Sequence, residues 1–161
     1  MTTDEYNICV DKYADNVFRF ILKNIKDADK AKDIVQDSFE KMWMRVDEIA
    51  FEKSRSYLFT TAYHTMVDAI RKDKKKADFE ESEPFLQGTN KEYFGLKEVI
   101  DDALARLPEI QKTVIMLRDY EGYAYDEIGD ITGLNESQVK VYIYRARLTM
   151  KKYIGSLEKV L

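Results

Sequence analysis

Residues 123–153 read YAYDEIGDITGLNESQVKVYIYRARLTMKKY. The stretch predicts a helix-turn-helix that runs into a basic helix. A short first helix spans about Tyr125 to Thr132. Gly133 suits the sharp turn, because glycine accepts positive φ without a Cβ clash. Asn135 caps the next helix, with Gln138 three residues on to complete a capping box. The second helix carries Val139, Ile143, Ala146 and Met150 at spacings of four, three and four, which makes one buried stripe. Its other faces carry Ser137, Lys140, Tyr144, Arg145, Arg147 and Lys151, and no Asp or Glu occurs from Ser137 to Leu157. Such a helix is suited to lie against phosphates with its first turns in a major groove. Amphipathic helix pairs with a glycine turn also occur in folds that bind no DNA. Gly129 favours the DNA reading, since a small residue four before the turn glycine lets the helices cross closely. Ala124, just before the first helix, offers no side-chain acceptor for a cap.

Charge looks wrong for a DNA binder until it is divided. The chain has 161 residues and a formal net charge of −4. Residues 1–76 carry net +1, residues 77–95 net −4 and residues 96–161 net −1. Positive charge is local, at Arg71–Lys76 and Lys140–Lys152, so non-specific DNA affinity of the protein alone is expected to be modest. Hydrophobic residues make up 45%, enough for a core, and no apolar run approaches the ~20 residues of a membrane span. The start, MTTDEYNICVDKY, lacks a signal-peptide pattern, and the expected location is cytoplasmic. One cysteine, Cys9, and one histidine, His64, leave no internal disulfide and no paired-cysteine zinc site. No catalytic residue, metal or cofactor is expected: nucleophile elbow, glycine-rich phosphate loop and metal cluster are all missing from the sequence.

The rest reads as helix. A first helix covers about Glu5 to Ile25 with Val10, Tyr13, Val17, Phe20 and Ile21 inward. A second covers about Asp29 to Val46 with Ala31, Ile34, Val35, Phe39, Met42 and Val46 inward. A third covers about Ser54 to Lys74 with Leu58, Ala62, Met66 and Ile70 on one stripe. ADFEESEPFLQGTNKEYFG, residues 77–95, is acidic, aperiodic and broken by Pro84 and Gly88, and reads as a linker. Helix resumes near Leu96, with Leu96, Val99, Ile100, Ala103, Leu104 and Leu107 apolar, and Pro108 sits at the start of the next. The expected architecture is all-α: two small helical domains, 1–76 and 96–161, joined by a flexible linker, the second ending in the helix-turn-helix.

The second domain resembles the C-terminal promoter-reading domain of bacterial sigma factors. The matching residues are Leu107-Pro108-Glu109, the Tyr120-Glu121-Gly122 turn, Tyr125-Asp126-Glu127-Ile128-Gly129, Val139-Lys140 and Arg145-Ala146-Arg147. The first domain is similar to the N-terminal sigma domain. There Asp33-Ile34-Val35-Gln36-Asp37-Ser38-Phe39 and Trp43 match its polymerase-binding helix, and Tyr57-Leu58-Phe59, Ala62 and Asp68-Ala69-Ile70-Arg71-Lys72 match its −10 helix. Two domains without further ones resemble the extracytoplasmic-function subgroup.

The resemblance implies a protein that binds core RNA polymerase and directs promoter recognition, melting and initiation at a specific regulon. Asp33, Gln36, Asp37 and Glu40 would grip the clamp helices of the large polymerase subunit, with Trp43 beside them in the core. Ile49 and His64 would form the pocket for a flipped base of the −10 element, and Arg55, Arg71, Lys72, Lys74, Lys75 and Lys76 would hold phosphates. Where His64 stands the family often has Asn. On the recognition helix, Glu136, Ser137, Lys140, Val141 and Tyr144 would face −35 bases, while Arg145, Arg147 and Lys151 position the backbone. Family members often carry Ser and Arg where Val141 and Tyr142 stand. The acidic linker would thread the RNA path of the polymerase. Partners implied are core RNA polymerase, including contacts upstream, promoter DNA and an anti-sigma factor, without membrane insertion. The alternative is a stand-alone helix-turn-helix regulator that binds duplex operators as a dimer. The Asp33/Gln36/Asp37 face and the basic third helix favour the sigma reading.

Overall fold

Thr2 opens the first helix, α1 (Thr3–Ile25), with a complete capping box. Its hydroxyl accepts from the Glu5 N–H, and the Glu5 carboxylate accepts from the Thr2 N–H at 2.8 Å. Lys26, in the left-handed region at φ 55°, ends the helix, and Asp27 caps the next by accepting from Asp29 and Lys30. The computed structural model describes residues 1–79 and 95–158. α2 (Ala28–Met44) packs on α1, a 3-10 turn at Phe51–Lys53 follows, and α3 (Ser54–Phe79) closes a three-helix unit. α2 ends two residues earlier than its apolar pattern predicts, and α3 runs past Lys74. The expected linker falls largely on residues outside those described, as do Glu80, Glu81 and Glu83.

The second unit begins with α4 (Leu96–Ala105). Leu96 is 74% exposed, and the apolar residues that turn inward begin at Val99. Pro108 precedes α5 (Glu109–Ile115), which runs into a π-helical turn at Met116–Tyr120. Gly122 at φ +73° turns the chain toward α6 (Tyr125–Thr132). Gly133, at φ +83°, then leads to α7 (Glu136–Glu158). The predicted capping box is present: the Asn135 side chain accepts from the Gln138 N–H at 2.8 Å, and Gln138 accepts from the Asn135 N–H at 3.0 Å. A Cβ on Gly129 would stand 2.7 Å from the Leu134 carbonyl oxygen, which is why the turn needs glycine there. Val139, Ile143 and Ala146 are buried, as their spacing requires.

The two units share one hydrophobic core. The Phe20 ring of α1 packs at a tilt against that of Phe59 of α3, 5.5 Å between centres, and Phe59 meets Tyr123 edge-on at 5.6 Å. Glu121, whose side chain is 3% exposed, pairs with Arg19 at 3.2 Å and Arg55 at 3.6 Å. The Arg55 guanidinium also donates to the Glu121 carbonyl and lies 4.3 Å from the centre of the Tyr123 ring. Thr113 donates to the Asn24 side chain at 3.2 Å, and Lys112 to the Asn24 carbonyl at 3.3 Å. Burial lowers the pKa of the Lys112 ammonium, and neighbouring Lys26 lowers it further.

Two outcomes follow from these contacts. At α6 the Ala124 N–H donates to Glu127 at 2.9 Å, but Ala124 returns no side-chain bond. Ala124→Ser supplies the missing half and is expected to add about 1 kcal/mol, which raises the melting temperature by about 3 °C; calorimetry on the full chain showing no rise would mean the cap does not form. Glu121→Ala removes the carboxylate between two half-exposed guanidiniums. The two units are then expected to separate in a larger fraction of molecules, and the radius of gyration from small-angle X-ray scattering to increase. An unchanged radius would assign the junction to the aromatic contacts and the Asn24 hydrogen bonds.

Candidate polymerase and promoter surfaces

On α2 the sequence separates two faces. Ala31, Ile34, Phe39 and Met42 turn into the core. That leaves Asp33, Gln36 and Glu40 exposed and Asp37 half-buried on the outer side. Asp37 pairs with Lys41 at 3.0 Å one turn on. The face is therefore acidic and accepting, suited to cationic side chains of a partner. Trp43 is not in the core: it is 47% exposed, with its ring edge against Tyr6 at 5.0 Å, and Met44 beside it is also exposed. The acidic face thus ends in an apolar tip.

α3 buries Leu58, Phe59, Ala62 and Met66. His64 is exposed on its other side, 5.7 Å from the Tyr63 ring. Arg71, Lys72, Lys74, Lys75 and Lys76 are exposed together near the C-terminal end, where cations oppose the helix dipole favourably. Lys30 reaches across from α2 to pair with Asp73 in their midst. Two of the expected −10 residues lie elsewhere. The Ile49 side chain sits in the hydrophobic core at 8% exposure, and its carbonyl accepts from the Met1 ammonium at 2.8 Å. Arg55 stands about 25 Å along α3 from the Arg71–Lys76 cluster, and is engaged by Glu121 and Tyr123.

On α7, Glu136, Ser137, Lys140, Val141, Tyr144, Arg145, Arg147 and Lys151 are all exposed. They are not equally available. Lys140 pairs with Glu136 at 3.3 Å, and Arg147 makes a two-pronged bond to Asp119 at 2.6 and 3.4 Å. Arg147 therefore braces the π-helical turn against α7 as well as adding charge to the surface.

Sequence reasoning missed the junction residues Arg19, Asn24, Lys112, Glu121 and Tyr123. Burial pushes the Tyr123 phenol up to about 12, so it stays neutral. The one local signal was Glu121 inside a tight turn; its partners lie 66 and 102 residues away. Among the described residues there is no cluster of His, Cys, Asp and Glu able to hold a metal, and no helix is long and apolar enough to cross a membrane.

Comparison with known proteins accounts for both halves. Residues 9–76 match the model of sigma-70 region 2, and residues 97–150 that of sigma-70 region 4. The chain is 31% identical over 145 residues to the RNA polymerase sigma factor SigV of Bacillus subtilis, covering 89% of this chain and 87% of that one. It is 26% identical to the ECF RNA polymerase sigma factor SigM of the same organism, with 94% of each chain covered. Its fold is similar to that of the sigma factor RpoE of Bartonella quintana, solved in complex with the anti-sigma factor NepR, at a TM-score of 0.79 and 20% identity over 95% of this chain and 98% of that one. With an acidic helix face and a basic α3 in region 2, and a capped recognition helix in region 4, the chain belongs to the sigma-70 family of RNA polymerase sigma factors, in the extracytoplasmic-function group.

Proposed function

We propose that the protein carries core RNA polymerase to a specific set of promoters through three separate surfaces. Asp33, Gln36, Asp37 and Glu40 on α2 dock on the clamp helices of the large polymerase subunit, with Trp43 and Met44 at the edge of the contact. His64 and the Arg71–Lys76 end of α3 receive the unpaired strand of the −10 element. α7 enters the major groove of the −35 duplex. The chain works by binding alone: capture of a flipped base and of phosphates offsets the loss of stacking as the duplex opens. The work is done in the cytoplasm, and an anti-sigma factor holds the protein inactive by covering these surfaces, a reading supported by the similar sigma factor RpoE, solved in complex with the anti-sigma factor NepR.

The observation that carries this reading is the commitment of Arg55. Its guanidinium, expected on promoter phosphates, is held by Glu121 of the other half. The −10 and −35 elements lie about 25 base pairs apart, roughly 85 Å along the duplex. Two units in contact cannot reach both. Residues 80–94 span at most about 50 Å when extended, enough, with the width of the two units, to bridge the gap once they part. Docking on polymerase therefore separates the halves and releases Arg55 to the DNA.

The test is run-off transcription with bacterial core polymerase and a promoter library, comparing wild type with the Asp33/Gln36/Asp37 triple alanine. Promoter-dependent transcript is expected to fall at least about tenfold, the result of losing about 1.4 kcal/mol of docking energy. The melting temperature should hardly move, because these side chains are outward. Full activity of the triple variant would place the polymerase contact elsewhere.

A further inference from the structure

The outermost face of the recognition helix is apolar. At about 100° per residue, Ser137, Val141, Tyr144 and Leu148 fall on the side opposite the buried Val139, Ile143 and Ala146. Val141 is 45% exposed, Tyr144 67% and Leu148 40%. Lys140 and Lys151 lie along one flank of this stripe and Arg145 along the other. A surface helix normally turns its charged side chains to water at this pole and keeps apolar ones for the core. Here the cations stand at the flanks, placed to meet the two phosphate backbones that wall a major groove, and an apolar ridge points at the floor between them.

Lys140, the long polar side chain in the first turns, is partly occupied. It pairs with Glu136 and lies 5.5 Å from the centre of the Tyr125 ring. Val141 stands one turn beyond Ser137, within the N-terminal part of the helix that reaches base edges in helix-turn-helix complexes. It has neither donor nor acceptor. Against the groove edge of guanine, adenine or cytosine it would cover polar groups without pairing them, which costs affinity. The one apolar group that any base pair offers in the major groove is the C5 methyl of thymine.

We propose that Val141, backed by Tyr144, reads thymine methyls in the −35 duplex, so that sequence preference there is set by apolar contact where hydrogen bonding would be expected. This rests on α7 being the −35 reader and deepens that reading. The flanking cations identify the occupant of the ridge as a polyanion, which a protein groove of apolar residues would not match.

The test uses holoenzyme made from core polymerase and the full chain. Promoters with a fixed −10 element and a randomised −35 segment are selected for stable complexes. Each thymine in the selected segment is then replaced singly by deoxyuridine, which lacks only the C5 methyl. Wild type is expected to enrich thymine at one position or more. Deoxyuridine there should weaken binding about fourfold, the scale of one buried methyl group. With Val141→Ala the same replacement should change binding by less than twofold. Because Val141 is exposed, the variant folds, and its melting curve confirms that. Thymine-free selected sequences overturn the proposal. So does a deoxyuridine penalty identical in wild type and Val141→Ala, which would leave the ridge to a protein partner. Arg145→Ala with Lys151→Ala separates the two levels: if that variant binds unchanged and no −35 sequence is enriched at all, the −35 role of α7 fails and the proposal with it.

Discussion

A buried carboxylate stands where the two halves of this sigma factor meet. Glu121 hangs from the turn between the π-helical segment and α6, out of contact with water, between Arg19 of α1 and Arg55 of α3. A buried carboxylate is tolerated only when its charge is answered, and two guanidiniums answer it here. Around it the apolar contact runs from Phe20 through Phe59 to Tyr123. The consequence bears on the proposed function, because Arg55 is held at the junction here and would reach phosphates only if the halves part.

The junction is built to hold and to release. Its apolar ladder favours closure, but two polar groups inside it are poorly served. Lys112 is buried with its basicity lowered and makes a long bond to the Asn24 carbonyl. The Tyr123 hydroxyl is buried with no hydrogen-bond partner among the described residues. Each is a cost that opening relieves. The guanidiniums at Glu121 are half exposed, so their attraction is weakened by solvent and salt. A junction of this kind would open to a partner that offers binding energy to the separated halves, the part that the proposed function gives to polymerase and promoter together.

Much of this was legible in the sequence, for reasons that differ by region. The limits of α6 and the start of α7 were readable because Gly133, Asn135 and Gln138 act locally on their own backbone. The inward residues of α3 and α7 were readable from helical spacing. Helix ends governed by tertiary packing were less so: α2 stops at Met44 although Val46 continues its apolar pattern. The Thr2–Glu5 capping box is equally local to its own backbone. Ile49 reads as a loop residue free to meet DNA, yet the turn folds it into the core. Trp43 reads as core, yet half of it is exposed. Glu121 gave only its place in a tight turn as a local sign, because its partners come from the other half of the chain.

The most direct test of this account is the distance between the halves. Cys9 is buried, so cysteines introduced at Asp15 on α1 and Thr149 on α7, both exposed, can be spin-labelled selectively. Pulsed electron resonance on the protein alone should give one short distance. With core polymerase and promoter DNA bound, that distance should be replaced by one longer by several tens of ångströms. The same short distance in the transcribing complex would mean that the two halves work as a closed unit, and the account of Arg55 release would be wrong.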